Sequence, residues 1–233
     1  MPTCAHDRRF DLSRVDALRR KAPQRISWAV LFIKAFSLMA ARCPQMRQAW
    51  FRWPWAHLYQ HPHSIAMVAT HREFRGEAWL FWSRFREPEH KPLSQLQGDM
   101  NRYLTEPVET IFKQYLQLSA LPTFVRRLLW WWNLNVSGRA RAKRTGTFFL
   151  STLAGHGAEI QHPPAFLTAN LTYGPMDEKG FSRVTIAYDH RLMDGRLVAQ
   201  CLANLEATLN GPIAAELESL ASPAGVNGAL EAA

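Results

Sequence analysis

Residues 188–195 read Tyr188-Asp189-His190-Arg191-Leu192-Met193-Asp194-Gly195. An imidazole titrates near neutral pH, so His190 could take a proton from a nucleophile and give it back within one cycle. A carboxylate four residues on, Asp194, can hold the surrounding loop in one geometry, and Gly195 lets the chain turn. Turns enrich aspartate and glycine for backbone reasons alone, so the spacing by itself leaves a structural role equally open. The flanking elements are those that could position such a histidine. Residues 181–188 alternate as a β-strand does. Residues 196–209 form an amphipathic helical pattern, with Leu197, Cys201, Leu205 and Leu209 on one stripe. His190 is therefore expected at the mouth of a strand, just before a helix.

A chain of 233 residues can bury a sizeable core. With 47% hydrophobic and 20% charged residues it reads as globular, and nine tryptophans point to apolar ligand or interface surface. The net charge of +9 favours an anionic partner, whether a phosphorylated cofactor, an anionic lipid surface or nucleic acid. Nucleic acid is disfavoured, because no recognised reading motif accompanies the charge. Cys4, Cys43 and Cys201 are too few and too scattered for a disulfide framework or a metal-ligand spacing, and a cytoplasmic location is expected. The first ten residues lack an apolar stretch, so no signal peptide is expected.

In chain order, residues 11–20 predict a short helix with Asp11 as N-cap. Residues 26–43 are the most apolar segment. Their length approaches a membrane span, but Lys34 near the middle favours a buried helix of a soluble core. Strands are expected at 64–70 and 78–85, with Arg75-Gly76 as the turn between them. His57, His61, His63 and His71 lie in this part of the chain without a metal-site spacing, so they read as loop or surface histidines and no metal is expected. Helices follow at 92–103, 107–118 and 121–134. The last carries Trp130-Trp131-Trp132 and leads into Arg139, Arg141, Lys143 and Arg144. Six basic residues and no acid lie between Val125 and Thr145. Three adjacent tryptophans cannot share one helix face. The segment therefore reads either as a packed helix with a solvated basic loop, or as a surface for an anionic membrane or a phosphorylated, apolar-tailed cofactor. Strands are expected again at 146–153 and 165–173, with a hairpin connection at 174–180. Residues 221–233 are expected to be a poorly ordered tail.

Two stretches resemble one family. Asp189-His190-Arg191-Leu192-Met193-Asp194-Gly195 is similar to the Asp-His-Arg-x-x-Asp-Gly signature of the dihydrolipoamide acyltransferase catalytic domains of 2-oxo-acid dehydrogenase complexes, relatives of chloramphenicol acetyltransferase. Gly146-Thr147-Phe148-Phe149-Leu150-Ser151 resembles that family's Gly-Thr-Phe-x-x-Ser strand. A weaker likeness runs from about Phe10. The fold implied is α/β: a two-layer sandwich in which a mixed sheet is covered by helices, here one catalytic domain over 1–220 with an atypical Trp- and Arg-rich insertion at about 108–145.

The resemblance implies acyl transfer from a coenzyme A, lipoyl or carrier thioester, with His190 as general base, Ser151 stabilising the oxyanion and Asp194 holding the loop. It also implies at least a homotrimer, with serine and histidine from different chains. Arg139, Arg141, Lys143 and Arg144 are candidates for the phosphates of coenzyme A. Family-like sequence begins almost at Met1, without a lipoyl domain, so a stand-alone enzyme is expected rather than a dehydrogenase-complex core. After Ser151 the loop Leu153-Ala154-Gly155-His156 departs from the family, as does the segment at about 108–143. An acceptor or donor with a long apolar part, and peripheral membrane contact, would account for that segment. The alternative is a non-catalytic trimeric scaffold that retains the fold.

Overall fold

The computed structural model describes residues 1–161, 163 and 166–221. Its strands are β1 (Thr3–Asp11), β2 (Gln48–Phe51), β3 (His57–Gln60), β4 (Ile65–Phe74), β5 (Glu77–Arg86), β6 (Phe148–Ser151), β7 (Ala169–Tyr173) and β8 (Phe181–Asp189). Its helices are α1 (Ser13–Lys21), α2 (Trp28–Arg42), α3 (Leu93–Thr105), α4 (Val108–Ile111), α5 (Lys113–Ser119), α6 (Thr123–Asn135), α7 (Gly138–Thr145), α8 (Gly195–Thr208) and α9 (Ala214–Ala221). Six strands form one sheet in the order β1-β8-β7-β6-β4-β5, and β2 pairs with β3 as a separate hairpin. The β4–β6 and β6–β7 pairs are parallel and the rest antiparallel. The fold is the expected mixed α/β sheet with helices.

Alternation along the strands decides what each face meets. Phe148, Leu150, Leu171, Val184, Ile186 and Tyr188 join one buried core with α2 and α8. Phe32 of α2 stacks on Tyr173 at 4.4 Å, and Phe36 lies 4.2 Å from Phe148. Each such ring contributes roughly 1.5–3 kcal/mol by leaving water. Phe149 faces the other way, against Met67, Leu167 and Trp82.

Helix α2 is the buried core helix expected of residues 26–43. Ser27 caps it by accepting from the Val30 N–H, and Lys34 Nζ is paired with Glu216 Oε2. The second oxygen of Glu216 accepts the Leu93 N–H, tying α9 to α2 and α3. No helix among the described residues is long and apolar enough to cross a membrane. The β4–β5 turn is the expected Arg75-Gly76, both left-handed at φ 56° and 78°, as a two-residue hairpin loop requires.

Four features differ from the sequence reading. Strand β1 pairs with the whole of β8, although its side chains are mostly exposed; backbone pairing at the sheet edge needs no apolar alternation. Asp11 belongs to β1, one residue before the Leu12 cap position, and its carboxylate accepts from the backbone and hydroxyl of Ser13, the first residue of α1. The β2–β3 hairpin forms where the sequence reading singled out no strand. The helical path runs beyond the expected end at 209: a π turn, Leu209–Ile213, carries the chain past Pro212 into α9, since the wider turn accommodates the missing N–H. The expected start of the 165–173 strand, Ala165, and the tail beyond Ala221 lie outside the described residues.

Candidate active site

His190 follows β8 directly, and its backbone N–H donates to the Pro2 carbonyl, 3.0 Å away. The ring is exposed, 5.9 Å from the buried Tyr188 ring, and its nitrogens have no partner among the described residues. Everything around it is tied down. Asp189, 2% exposed, accepts the Arg191 guanidinium at 2.9 and 2.6 Å and the Arg191 backbone N–H at 3.1 Å. This fork-on-carboxylate geometry is the strong form of an ion pair. The same guanidinium lies 4.3 Å above the Trp50 ring of β2. On the far side, Asp194 Oδ1 accepts the Leu197 N–H at 2.8 Å and caps α8. Gly195 is close-packed: a Cβ there would stand 3.0 Å from the His6 ring. The loop is a rigid mount for one free imidazole.

Ser151 ends β6, half-buried, with no hydrogen-bond partner for its hydroxyl among the described residues. It pairs with Thr172, which pairs with Thr185 of β8. His190 lies five residues beyond Thr185, at the opposite edge of the sheet. At about 3.3 Å per residue the two groups are roughly 17 Å apart along the strands. A hydrogen bond needs about 3 Å. One chain therefore cannot bring Ser151 and His190 together, and a site using both takes one of them from another copy.

Ser151 points to the Phe149 face, away from a cavity of about 810 Å³ on the helix-covered face between Trp28, Phe32 and Tyr173. On the Ser151 face, Asn170 was missed in the sequence. It is 1% exposed, and neither its Oδ1 nor its Nδ2 has a partner. It lies one pleat from Thr172 toward the His190 edge, so it borders the same surface. An amide side chain between Ala169 and Leu171, in a strand otherwise made of Ala, Leu, Thr and Tyr, is the signal that would have found it.

The four basic candidates do not form one patch. Arg141 is buried; its guanidinium donates to the Phe166 carbonyl at 2.6 Å and lies over Phe51. Burial pushes it down to about 10, while Asp189 favours its charge. Arg144 donates to Asn133 Oδ1. Arg139 and Lys143 share a face of α7 beside a separate cavity. Helix α6 turns its three tryptophans in different directions. Trp130 meets Phe166, and Trp131 meets Trp53. All three remain 45–49% exposed. Among the described residues there is no group of three or more His, Cys, Asp or Glu side chains able to hold a metal ion.

No model of a known protein family and no curated protein sequence matches the chain. Solved structures do. The chain is similar to the dihydrolipoamide acetyltransferase of Azotobacter vinelandii at 17% identity and a TM-score of 0.64, over 93% of this chain and 84% of that one. It is similar to the truncated 2-oxoacid dehydrogenase catalytic core of Thermoplasma acidophilum at 12% identity and a TM-score of 0.65, over 91% and 88%. The fold is that of the acyltransferase cores. Chloramphenicol acetyltransferase shares it at a TM-score of 0.55 and 12% identity, over 89% and 88%. At these identities the likeness concerns the fold, and the chemistry of this chain is argued from its own residues.

Proposed function

We propose that the protein is an acyltransferase that moves an acyl group from a thioester donor, such as an acyl-coenzyme A or a lipoyl or carrier-protein thioester, to a nucleophilic acceptor. The observation that carries this is the placement of Ser151 and His190, each in a matching motif, at opposite edges of one sheet. A ring of copies, a trimer as the family resemblance implies, would set the serine of one chain against the histidine of the next. In the Azotobacter vinelandii enzyme a serine, a histidine and, four residues after it, an asparagine have a role in the catalytic mechanism. Asp194 stands at that same spacing here.

In the step proposed, the His190 imidazole takes the proton of an acceptor thiol, hydroxyl or amine as that atom attacks the thioester carbonyl. The new bond gives a tetrahedral oxyanion, to which Ser151 Oγ donates a hydrogen bond. Removing such a donor costs about 10²–10³ in rate. Collapse breaks the carbon–sulfur bond, and the departing thiolate takes the proton from the imidazolium. Asp194 keeps the loop on the end of α8. The exposed Phe124, Leu128 and Trp130–Trp132 with Arg126 and Arg127 support an acceptor with an apolar portion, presented at an anionic membrane surface. The three cysteines are free, which suits a reducing compartment such as the cytoplasm.

The test is a mass-spectrometric screen of acyl-coenzyme A donors against thiol, alcohol and amine acceptors. Turnover abolished by His190→Ala supports the proposal. Equal turnover in that variant contradicts it. A complete lack of transfer from any donor class, alongside tight assembly, would favour a scaffold instead.

A further inference from the structure

Helix α7 rests on the β2–β3 hairpin so closely that only glycine fits at position 138: a Cβ there would lie 2.3 Å from the Tyr59 ring. This close approach sets Arg139 and Lys143, one helical turn apart, opposite Arg86 at the end of β5. Between them is a cavity of about 450 Å³, also lined by His61, His63 and Glu87. None of the three cationic side chains has a carboxylate partner among the described residues. Lys143 contributes only its carbonyl, to Arg84. With Glu87 as the one lining carboxylate, the three cations leave two positive charges uncompensated. Gathering like charges at a concave surface is unfavourable unless an anion occupies it.

His61 adds an independent observation. It is 3% exposed and its Nδ1 is buried without a partner. Buried polar atoms are seldom left unpaired. We propose that this cavity binds a phosphate-class oxyanion, held by Arg86, Arg139 and Lys143, with the His61 ring as a neutral hydrogen-bonding wall. Arginine offers a fork that matches two phosphate oxygens, and lysine a mobile point charge. Burial first, then the charges of Arg141 and Arg47, push His61 down to about 4, so it meets the anion as a neutral imidazole. The cavity opens on the sheet edge that also carries His190, three strands away, or about 14 Å at ~4.8 Å per strand. The proposal does not depend on acyl transfer. The phosphate could be free or part of a larger molecule, and the recognition chemistry is the same.

The test is calorimetric titration of inorganic phosphate and of pyrophosphate into the full-length protein at low salt. Comparison variants are Arg139→Gln/Lys143→Gln, exposed side chains at the cavity, and Lys21→Gln/Lys179→Gln, the same charge change elsewhere. Saturable binding that weakens about tenfold or more in the first variant and is unchanged in the second supports the site. Competition then separates the sources. Displacement of phosphate by coenzyme A assigns the anion to a thioester donor, and failure to displace it assigns a free oxyanion. Absence of saturable binding by the unmodified protein, or equal weakening in both variants, overturns the proposal. Because no turnover is measured, this outcome is separate from the fate of the acyltransfer reading.

Discussion

The two ends of the central sheet are built on different principles. At the His190 end, Asp189, Arg191, Trp50 and the Asp194 cap fix every neighbour of the ring. At the Ser151 end the strand runs into a loop held mainly by neutral hydrogen bonds: Thr152 Oγ1 donates to the Tyr173 carbonyl and accepts the Ala154 N–H, the Leu153 carbonyl accepts the His156 and Ala158 N–H groups, and Thr172 Oγ1 donates to the Ile160 carbonyl. The hydroxyl of Ser151 itself is uncommitted. A general base must be aimed, so its mount is costly and rigid. A hydrogen-bond donor to a transient oxyanion needs only to be free and correctly placed. On the proposed reading each chain carries two half-sites, one braced by charge and one with a free hydroxyl, which would meet only across copies.

The sharpest way to break the contrast is at Asp189. Asp189→Ala leaves the partly exposed Arg191 guanidinium without its carboxylate and the buried Arg141 charge less compensated, and should cost about 2–3 kcal/mol in a denaturant titration. A loss under about 1 kcal/mol would mean that the His190 mount is not held by charge. At the open end the effect should move from stability to rate. Ser151→Ala is expected to leave the melting temperature unchanged while lowering kcat about 10²–10³-fold. A large fall in melting temperature would show that the serine is structural.

The His190 edge should also be acid-sensitive through His61. Its folded pKa, about 4, lies below the ordinary value of 6.5. Below pH 6.5 the unfolded chain therefore binds a proton that the folded one refuses. Stability should fall as pH drops from 6.5 toward 4, by on the order of 1.4 kcal/mol per unit, and level off below that. Urea titrations across this range should show the slope in the parent protein and lose it in His61→Gln. The smallest effect belongs to the α8 cap. Asp194→Ala should cost about 1 kcal/mol, and Asp194→Asn only a few tenths, because asparagine still accepts the Leu197 N–H.

Much of the braced end was legible in the sequence because its signals are local. A strand pattern, His190, a capping aspartate and a helical stripe follow one another within thirty residues. The Arg75-Gly76 turn was legible for the same reason. What could not be read depends on distant pairing. Strand β1 is held by the β8 backbone and shows no apolar alternation. Trp50 meets Arg191 only because the hairpin folds under the sheet. The basic run around residues 139–144 looked like one patch in sequence, but helical phase turns Arg141 inward and leaves Arg139 and Lys143 at a cavity. The separation of Ser151 and His190 follows from β8 running against β6 and β7, which no local pattern encodes.

The central claim is that one chain supplies the serine and another the histidine, and complementation tests it most directly. Ser151→Ala and His190→Ala chains would each be purified, shown to be folded, unfolded together in equal amounts and reassembled. Each variant alone should keep about 1% of the parent activity or less. In the mixture about a quarter of the interfaces pair an intact serine with an intact histidine, so activity should return toward about a quarter of the parent value. A reassembled, folded mixture as inactive as its components would contradict the shared site.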